Sequence, residues 1–466
     1  MNTAEQLLPE TIFRAYDIRG IAGTDLTVDS VHLIGRAIGR LARLDGHSRI
    51  LFGADARLSS PALAAALKDG ILGEGCDVMD LGTIPTPLLY FATHTTDISS
   101  GVMLTASHNP ADYNGIKIVR NRHCLTPAQI QGIREQALAL TGASDTPKTR
   151  GVLGSLDIVP AYIQRVCSDI RLQRRLKVVV DCGNAVPGML APRLLSALGC
   201  DVIPLYCEVD GHFPNHHPDP TITSNLRDLI RTVKTQKADL GIGLDGDGDR
   251  VVMVTNEGHV IDTDRLLMLL VRDIVPRYQH PKVVFDVKCS NLLEGEIRAC
   301  GGEPVMSRSG HSFMKHKMLE SGAVVGGEFS AHVFIKDRWY GYDDGFYVAA
   351  RFLELLAASN LSAEQMLRSL PGSIVTPELR IDVGETRKFV LMEQLAAMAD
   401  FPMARINRLD GIRADFNDGW GLIRASNTTP ALLLRFEASS RQSLLQIQDA
   451  FRQLLKRVDP ALDFAS

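Results

Sequence analysis

Short uninterrupted apolar runs, each closed by an acidic residue and followed by a helix-length stretch, recur three times along the chain. The first repeat runs from Ile50-Leu51-Phe52-Gly53-Ala54-Asp55 to Gly75-Cys76-Asp77-Val78-Met79. The second runs from Val178-Val179-Val180-Asp181 to Gly199-Cys200-Asp201-Val202-Ile203, the third from Val283-Val284-Phe285-Asp286 to Gly301-Gly302-Glu303-Pro304-Val305. Apolar runs without alternation are strands buried on both faces, and a helix-length crossover between two of them is a βαβ unit. Three copies in series predict three related α/β domains with mixed sheets. The last hundred residues differ. Segments 379–383, 414–416 and 432–436 alternate or cluster as short strands, and Leu444, Ile447, Phe451, Leu454 and Leu455 mark one face of a closing helix over Arg441–Val458. That pattern predicts an antiparallel α+β cap. The expected domains are 1–153, 154–258, 259–370 and 371–466, arranged around a shared central cleft, because sites in α/β sheets form at strand ends.

A chain of 466 residues is too long for one core, in keeping with this division. It is 45% hydrophobic and 22% charged, with a net charge of −4, so nothing points to nucleic acid. The eight cysteines (Cys76, Cys124, Cys167, Cys182, Cys200, Cys207, Cys289, Cys300) include no C-x-x-C pair and read as reduced core thiols. The first residues show no signal-peptide pattern, and no window approaches 18 uninterrupted apolar residues. A cytoplasmic protein without a membrane partner is expected.

Four stretches carry chemistry. Leu104-Thr-Ala-Ser-His-Asn-Pro110 places Ser107 on a polar turn directly after an apolar run. Such a serine is either a turn residue or a covalent phosphate carrier. The Gly-x-Ser-x-Gly elbow of serine hydrolases is absent, and His108, next in sequence, is expected to fold back poorly onto its neighbour's hydroxyl. Gly241-Ile-Gly-Leu-Asp-Gly-Asp-Gly-Asp-Arg250 spaces Asp245, Asp247 and Asp249 by glycines. The glycines allow a tight loop on which three carboxylates can converge on one hard cation such as Mg²⁺. An EF-hand fails, because its sixth position holds Arg250 and its twelfth Asn256. Arg424-Ala-Ser-Asn-Thr-Thr-Pro430 offers a guanidinium with Ser, Asn and Thr donors, suited to a phosphate dianion or to a plain surface turn. In Gly326-Gly-Glu-Phe-Ser-Ala-His332 the residues Glu328, Ser330 and His332 alternate. They would face one way from an extended segment and could read sugar hydroxyls, or they could mark an edge strand. The loop 211–220, rich in His and Pro, is expected to be rigid rather than a zinc site.

Together, in this order and across essentially the whole chain, these motifs resemble the α-D-phosphohexomutase superfamily, in particular its bacterial phosphomannomutase/phosphoglucomutase branch. The resemblance implies four domains around a cleft, hexose phosphates as small-molecule partners, and one Mg²⁺ per chain. It implies that Ser107 carries the phosphoryl group, with Asp245, Asp247, Asp249 and Ser107 at the metal. Arg250 and Arg19 would lie near that phosphate, with Tyr16 and His108 at the cleft. Lys117 is implied as general base and His311 as acid/base partner. Lys288, Glu328, Ser330 and His332 would meet the sugar, and Arg424, Ser426, Asn427 and Thr428 would grip the non-reacting phosphate.

On this reading phosphoryl groups pass reversibly between the 1- and 6-positions of mannose or glucose phosphates through a phosphoserine and a hexose 1,6-bisphosphate, with glucose 1,6-bisphosphate as activator and intermediate. A monomer or weak dimer with a hinge near 368–374 is expected. The branch usually reads Gly-Glu-Met-Ser-Gly-His, against Gly-Glu-Phe-Ser-Ala-His here, so glucose-against-mannose preference stays open. The alternatives are a phosphoglucosamine mutase, against which Phe329 argues, a phosphatase, which would release phosphate, and a non-catalytic sugar-phosphate-binding protein, which would not need serine, metal loop and base together.

Overall fold

The computed structural model of the chain describes residues 6–15, 17–141, 149–426 and 429–464. Each of the three repeats is a βαβ unit with parallel strands. β2 (Arg49–Ala54) pairs with β3 (Asp77–Thr83) across helix Ser60–Gly73. β8 (Lys177–Asp181) pairs with β9 (Asp201–Leu205) across helix Ala191–Ala197, and β13 (Lys282–Asp286) with β14 (Glu303–Ser307) across helix Asn291–Ala299.

Antiparallel additions make the first two sheets mixed. In the first, β1 (Ile18–Ile21), β5 (Tyr113–Arg120), β4 (Gly101–Leu104), β2, β3 and β7 (Leu153–Ser155) lie in that order, with β6 (His123–Cys124) on β5. β4 runs antiparallel to β5, which pairs Met103 with Lys117. In the second, the hairpin of β10 (Leu240–Leu244) and β11 (Val251–Thr255), extended by β12 (Val260–Ile261), continues from β8. Both additions are hairpins, and the two turns nearest them carry the serine and the carboxylates. In the third, β13 is flanked by β14 and β15 (Val325–Glu328), all parallel.

The C-terminal module is the antiparallel α+β layer read from the sequence. β17 (Ile374–Val375) and β18 (Leu379–Asp382) both pair with β22 (Ala431–Ala438), which continues to β21 (Gly419–Ala425), β20 (Ile412–Phe416) and β19 (Arg405–Asn407). The expected closing helix is present, with Ser440 as its N-cap, and Phe451, Leu454 and Leu455 buried against Phe436 and Phe401. A second helix, Arg387–Met398, was not evident in the pattern, since its exposed Phe389 and Val390 blur the apolar stripe.

The chain packs as two compact units. One contains the residues through Thr263 together with Ser330–Met366; the other contains Asp264–Phe329 and the residues from Leu367 onward. Within the second unit, Arg413 donates to the carbonyls of Val287 (2.5 Å) and Cys289 (2.8 Å), and Ser290 Oγ donates to Glu437 (2.6 Å). The 368–374 connection is also tied there. Arg265 donates to Pro371 O and to Ser373 Oγ (2.9 Å), and Arg272 to Ser369 Oγ (2.9 Å). Any swing at this connection must break those bonds. Among the described residues no helix is long and apolar enough to cross a membrane.

In the first unit, β16 (His332–Ile335) leads through 336–344 to helix Gly345–Ala358. Asp344 caps that helix. Its carboxylate accepts from Tyr347 N (3.0 Å), Tyr162 Oη (2.8 Å) and Trp339 Nε1 (3.2 Å). Burial lifts this carboxyl from its ordinary value to about 7, against the pull of those donors. A raised folded value favours the protonated fold, so its contribution is full below about pH 4 and is lost as pH rises through 7. Asp344→Ala, which strands three buried donors, should cost about 3 kcal/mol in urea denaturation. The deficit of Asp344→Asn should be smaller at pH 8 than at pH 5. An equal deficit at both would contradict the burial argument.

Candidate functional site

Ser107 leaves β4 on a turn in the left-handed region, at φ 51, which a side-chain-bearing residue adopts only when its surroundings insist. The surroundings are Arg57. This buried guanidinium donates to Ser107 O (2.7 Å), Asn109 O (2.7 Å), Pro110 O (2.5 Å) and Tyr113 O (3.1 Å), and is itself held by Asp55 (3.1 Å). Arg57 was not among the sequence candidates, and no motif around it reveals its role. The twist has a further result. His108 Nδ1 lies 3.2 Å from Ser107 Oγ, so the expectation that this histidine cannot reach its neighbour is corrected: it assumed an ordinary backbone at Ser107. Burial, and then Arg250 and Arg19, push the His108 imidazole well below its usual value, leaving it neutral.

The carboxylate loop joins β10 to β11 and meets the serine turn backbone to backbone. A Cβ at position 246 would lie 2.1 Å from Ser107 O, so only glycine fits between Asp245 and Asp247. Ser107 Oγ donates to Asp245 Oδ2 (2.7 Å), while Asp245 Oδ1 accepts from the backbone N–H of Gly248 (3.0 Å) and Arg250 (3.1 Å). Lys117, brought in by β5, donates to Asp247 Oδ2 (2.7 Å) and Asp249 Oδ2 (2.6 Å). Thr86, at the first turn of helix Thr86–Thr95, adds a hydroxyl to Asp247 Oδ2 (2.5 Å); it too escaped the sequence reading.

All three carboxylates are buried, and one oxygen from each lies within 4.8 Å of the others. Asp247 Oδ1 and Asp249 Oδ1 are buried and accept no hydrogen bond. Hard oxygen donors, converging and short of partners, fit a divalent cation. Burial, then Asp247 and Asp249, raise the Asp245 carboxyl well above its ordinary value. Burial also opposes ionisation at Asp249, but the charge of Lys117 outweighs it and holds that group low. Burial likewise lowers Lys117, and the two carboxylates overcome it, so the lysine is held charged.

Arg19 donates to Asn109 Oδ1 (2.6 Å) and Asp17 (2.5 Å), at the edge of the serine turn. Arg250 Nε donates to His332 Nε2 (3.1 Å), and the two residues form an antiparallel bridge. Ser107, His108, Lys117, the three aspartates, Arg19, Arg250 and His332 thus belong to one constellation in the first unit.

The second unit holds another. Glu328, at the end of β15, accepts Gly310 N on Oε1 (3.0 Å), and its buried Oε2 accepts no hydrogen bond. His311 opens helix His311–Ser321 directly after Gly310. Asp410 connects this corner to the C-terminal loop: it accepts Ser309 N (3.0 Å) and pairs with Arg424 (3.1 Å). Ser426 Oγ accepts Thr429 N (3.1 Å), and its carbonyl accepts Lys388 Nζ (2.9 Å), a buried lysine that sequence reasoning missed. Lys288 O accepts Arg435 Nη1 (2.7 Å), and that guanidinium stacks 3.4 Å from the Phe329 ring. Tyr16, Asn427 and Thr428 lie outside the described residues.

The expected extended segment 328–332 is corrected. The chain turns at 329–331, with Ala331 at φ 73, so Glu328, Ser330 and His332 do not share one strand face. In the loop 211–220 two histidines lie against carboxylates. His216 Nε2 lies 3.1 Å from both Asp181 oxygens, and His212 Nδ1 lies 2.8 Å from Asp210.

Four consecutive domains of one family match the chain: phosphoglucomutase/phosphomannomutase alpha/beta/alpha domains I (10–142), II (160–258) and III (262–373), and the C-terminal domain (378–454). The chain is 50% identical over 463 residues to a phosphomannomutase/phosphoglucomutase of Pseudomonas aeruginosa, covering 99% of each. It is 44% identical over 447 residues to a phosphoglucomutase of Neisseria gonorrhoeae, covering 96% of each. A solved phosphoglucomutase/phosphomannomutase family protein from Burkholderia thailandensis has a TM-score of 0.93 at 42% identity, over 98% of this chain and 99% of that one. Fold and relatives alike are those of enzymes that move phosphoryl groups on hexoses. The chain belongs to the phosphoglucomutase/phosphomannomutase family, and its activity is reversible transfer of a phosphoryl group between the 1- and 6-positions of hexose phosphates.

If Lys117 compensates the aspartates, Lys117→Met should lose about 3–5 kcal/mol of stability without metal, because two buried carboxylates lose their partner. Adding Mg²⁺ should then raise the melting temperature of the variant more than that of the unchanged protein. Equal shifts in differential scanning fluorimetry would contradict this.

Proposed function

We propose that Ser107 is the phosphoryl carrier of this mutase. The observation that carries the reading is the bond from Ser107 Oγ to Asp245 Oδ2 (2.7 Å), on a loop whose neighbouring carboxylates leave buried oxygens without donors. Asp245, Asp247, Asp249 and the Ser107 oxygen would hold Mg²⁺. When bound, that ion would offset charge on the transferring phosphoryl group.

The phosphoryl group of phosphorylated Ser107 passes to the free hydroxyl of a hexose 1- or 6-phosphate, giving the 1,6-bisphosphate. The bisphosphate turns over and returns its other phosphoryl group to Ser107, so glucose 1,6-bisphosphate also acts as activator. Arg250 and Arg19 orient the transferring group, with His108 beside it as a neutral donor. Lys117 takes the hydroxyl proton. Its ion pairs hold it charged, so this role requires Asp247 and Asp249 to be engaged by another cation.

His311, Lys288 and Ser330 contact the sugar, and the unpaired oxygen of Glu328 supports hydroxyl reading there. Arg424, Ser426, Asn427 and Thr428 grip the distal phosphate, which must compete with Asp410 for Arg424. Because Phe329 stacks on Arg435 behind Lys288, its departure from the branch pattern is a packing change, and both glucose and mannose phosphates are expected substrates. The chain is expected to work in the cytoplasm as a monomer or weak dimer.

Ser107→Ala should lower turnover of glucose and mannose 1-phosphates by on the order of 10³-fold or more. Its intact mass should show no added phosphoryl group after incubation with glucose 1,6-bisphosphate, whereas the unchanged chain gains one. Near-normal turnover would overturn the phosphoserine mechanism. Faster turnover of glucosamine 1-phosphate than of either other sugar phosphate would overturn the sugar assignment.

A further inference from the structure

Asp343 belongs to no motif in the sequence, yet it is fully buried beside the constellation of the first unit. Two backbone bridges place it. Arg250 pairs with His332, and Phe334, two residues on, pairs with Asp343. Gly345 N–H then bonds Gly248 O (3.1 Å), fixing the start of the next helix to the carboxylate loop.

The side chains form a line across these bridges. Arg250 Nε–H is always a donor, so His332 Nε2, 3.1 Å away, must offer its lone pair. The ring proton therefore sits on Nδ1. Nδ1 lies 3.2 Å from Asp343 Oδ2 and 3.7 Å from Asp249 Oδ1, within ion-pair reach of both carboxylates. A carboxylate on the far nitrogen of an imidazole fixes both its tautomer and its plane.

We propose that Asp343, acting through His332, sets the tautomer that accepts Arg250 Nε–H and so orients the Arg250 guanidinium. Asp343 is then a positioning residue for phosphoryl transfer. The kinetic part rests on the role of Arg250 given above; the tautomer does not.

The test uses the full chain. Asp343→Leu removes the acceptor and Asp343→Asn keeps one, with folding checked by circular dichroism. ¹⁵N spectra of the imidazoles, with His332 assigned by its loss in His332→Gln, should show Nδ1–H in the unchanged chain and a shift toward Nε2–H in Asp343→Leu. Turnover should fall about 10–100-fold in Asp343→Leu with KM nearly unchanged, and Asp343→Asn should recover most of it. Because Asp343 acts through His332, Asp343→Leu combined with His332→Ala should be no slower than His332→Ala alone.

Multiplying losses in the double variant, or an unchanged tautomer in Asp343→Leu, would overturn the proposal. If Asp343→Leu does not fold, the same cycle with Asp343→Asn decides it. Ser107→Ala judges the mechanism separately. Should Ser107→Ala abolish turnover while Asp343→Leu leaves tautomer and turnover intact, the positioning role falls and the phosphoserine reading stands.

Discussion

Three carboxylates buried on five consecutive residues cannot stay ionised without positive charge close by, and the first unit is organised around that constraint. Lys117 meets two of them directly, the loop's own N–H groups and the Ser107 hydroxyl meet the third, and Asp247 and Asp249 each keep an oxygen that accepts no hydrogen bond. A local excess of negative charge normally costs stability. Here it is held in place by a hairpin from one sheet, a strand from another and the first turn of a helix. The serine turn shares in this arrangement, because Gly246 and Ser107 touch through their backbones.

The second unit is simpler electrostatically and more intricate mechanically. One carboxylate, Asp410, joins the turn before His311 to Arg424 of the C-terminal loop. Arg413, Arg435 and Glu437 fasten the C-terminal sheet to the segment 287–291. The turn before His311, which would meet the sugar, is thus tied through Asp410 to Arg424, which would meet the distal phosphate. Binding at either would be felt at the other through Asp410.

The three βαβ repeats, the antiparallel cap and its closing helix were legible because each depends on local periodicity, which the chain states plainly. The serine turn and the aspartate triplet stood out as motifs because a serine after an apolar run and carboxylates spaced by glycines are unusual, whereas Lys117 entered only through the family resemblance. What was not legible came from far along the chain: Arg57, Thr86, Lys388 and Asp343 are ordinary residues in ordinary surroundings until the fold delivers them. The two corrections have a common cause. Both His108 and the 328–332 segment were read with default backbone geometry, and both contain or adjoin a residue at positive φ, Ser107 and Ala331. Side-chain-bearing residues give no sequence signal for that conformation.

Arg57 grips the serine turn by four carbonyl oxygens and by no side chain of the turn. A loop fastened in this way keeps its shape whatever its own side chains are. Substitutions within it can alter reactivity without remodelling the path of the chain, whereas a change at the distant guanidinium would deform the turn while leaving every residue in it untouched. Heritable variation in chemistry and heritable variation in shape are thereby assigned to separate positions, some fifty residues apart in the chain.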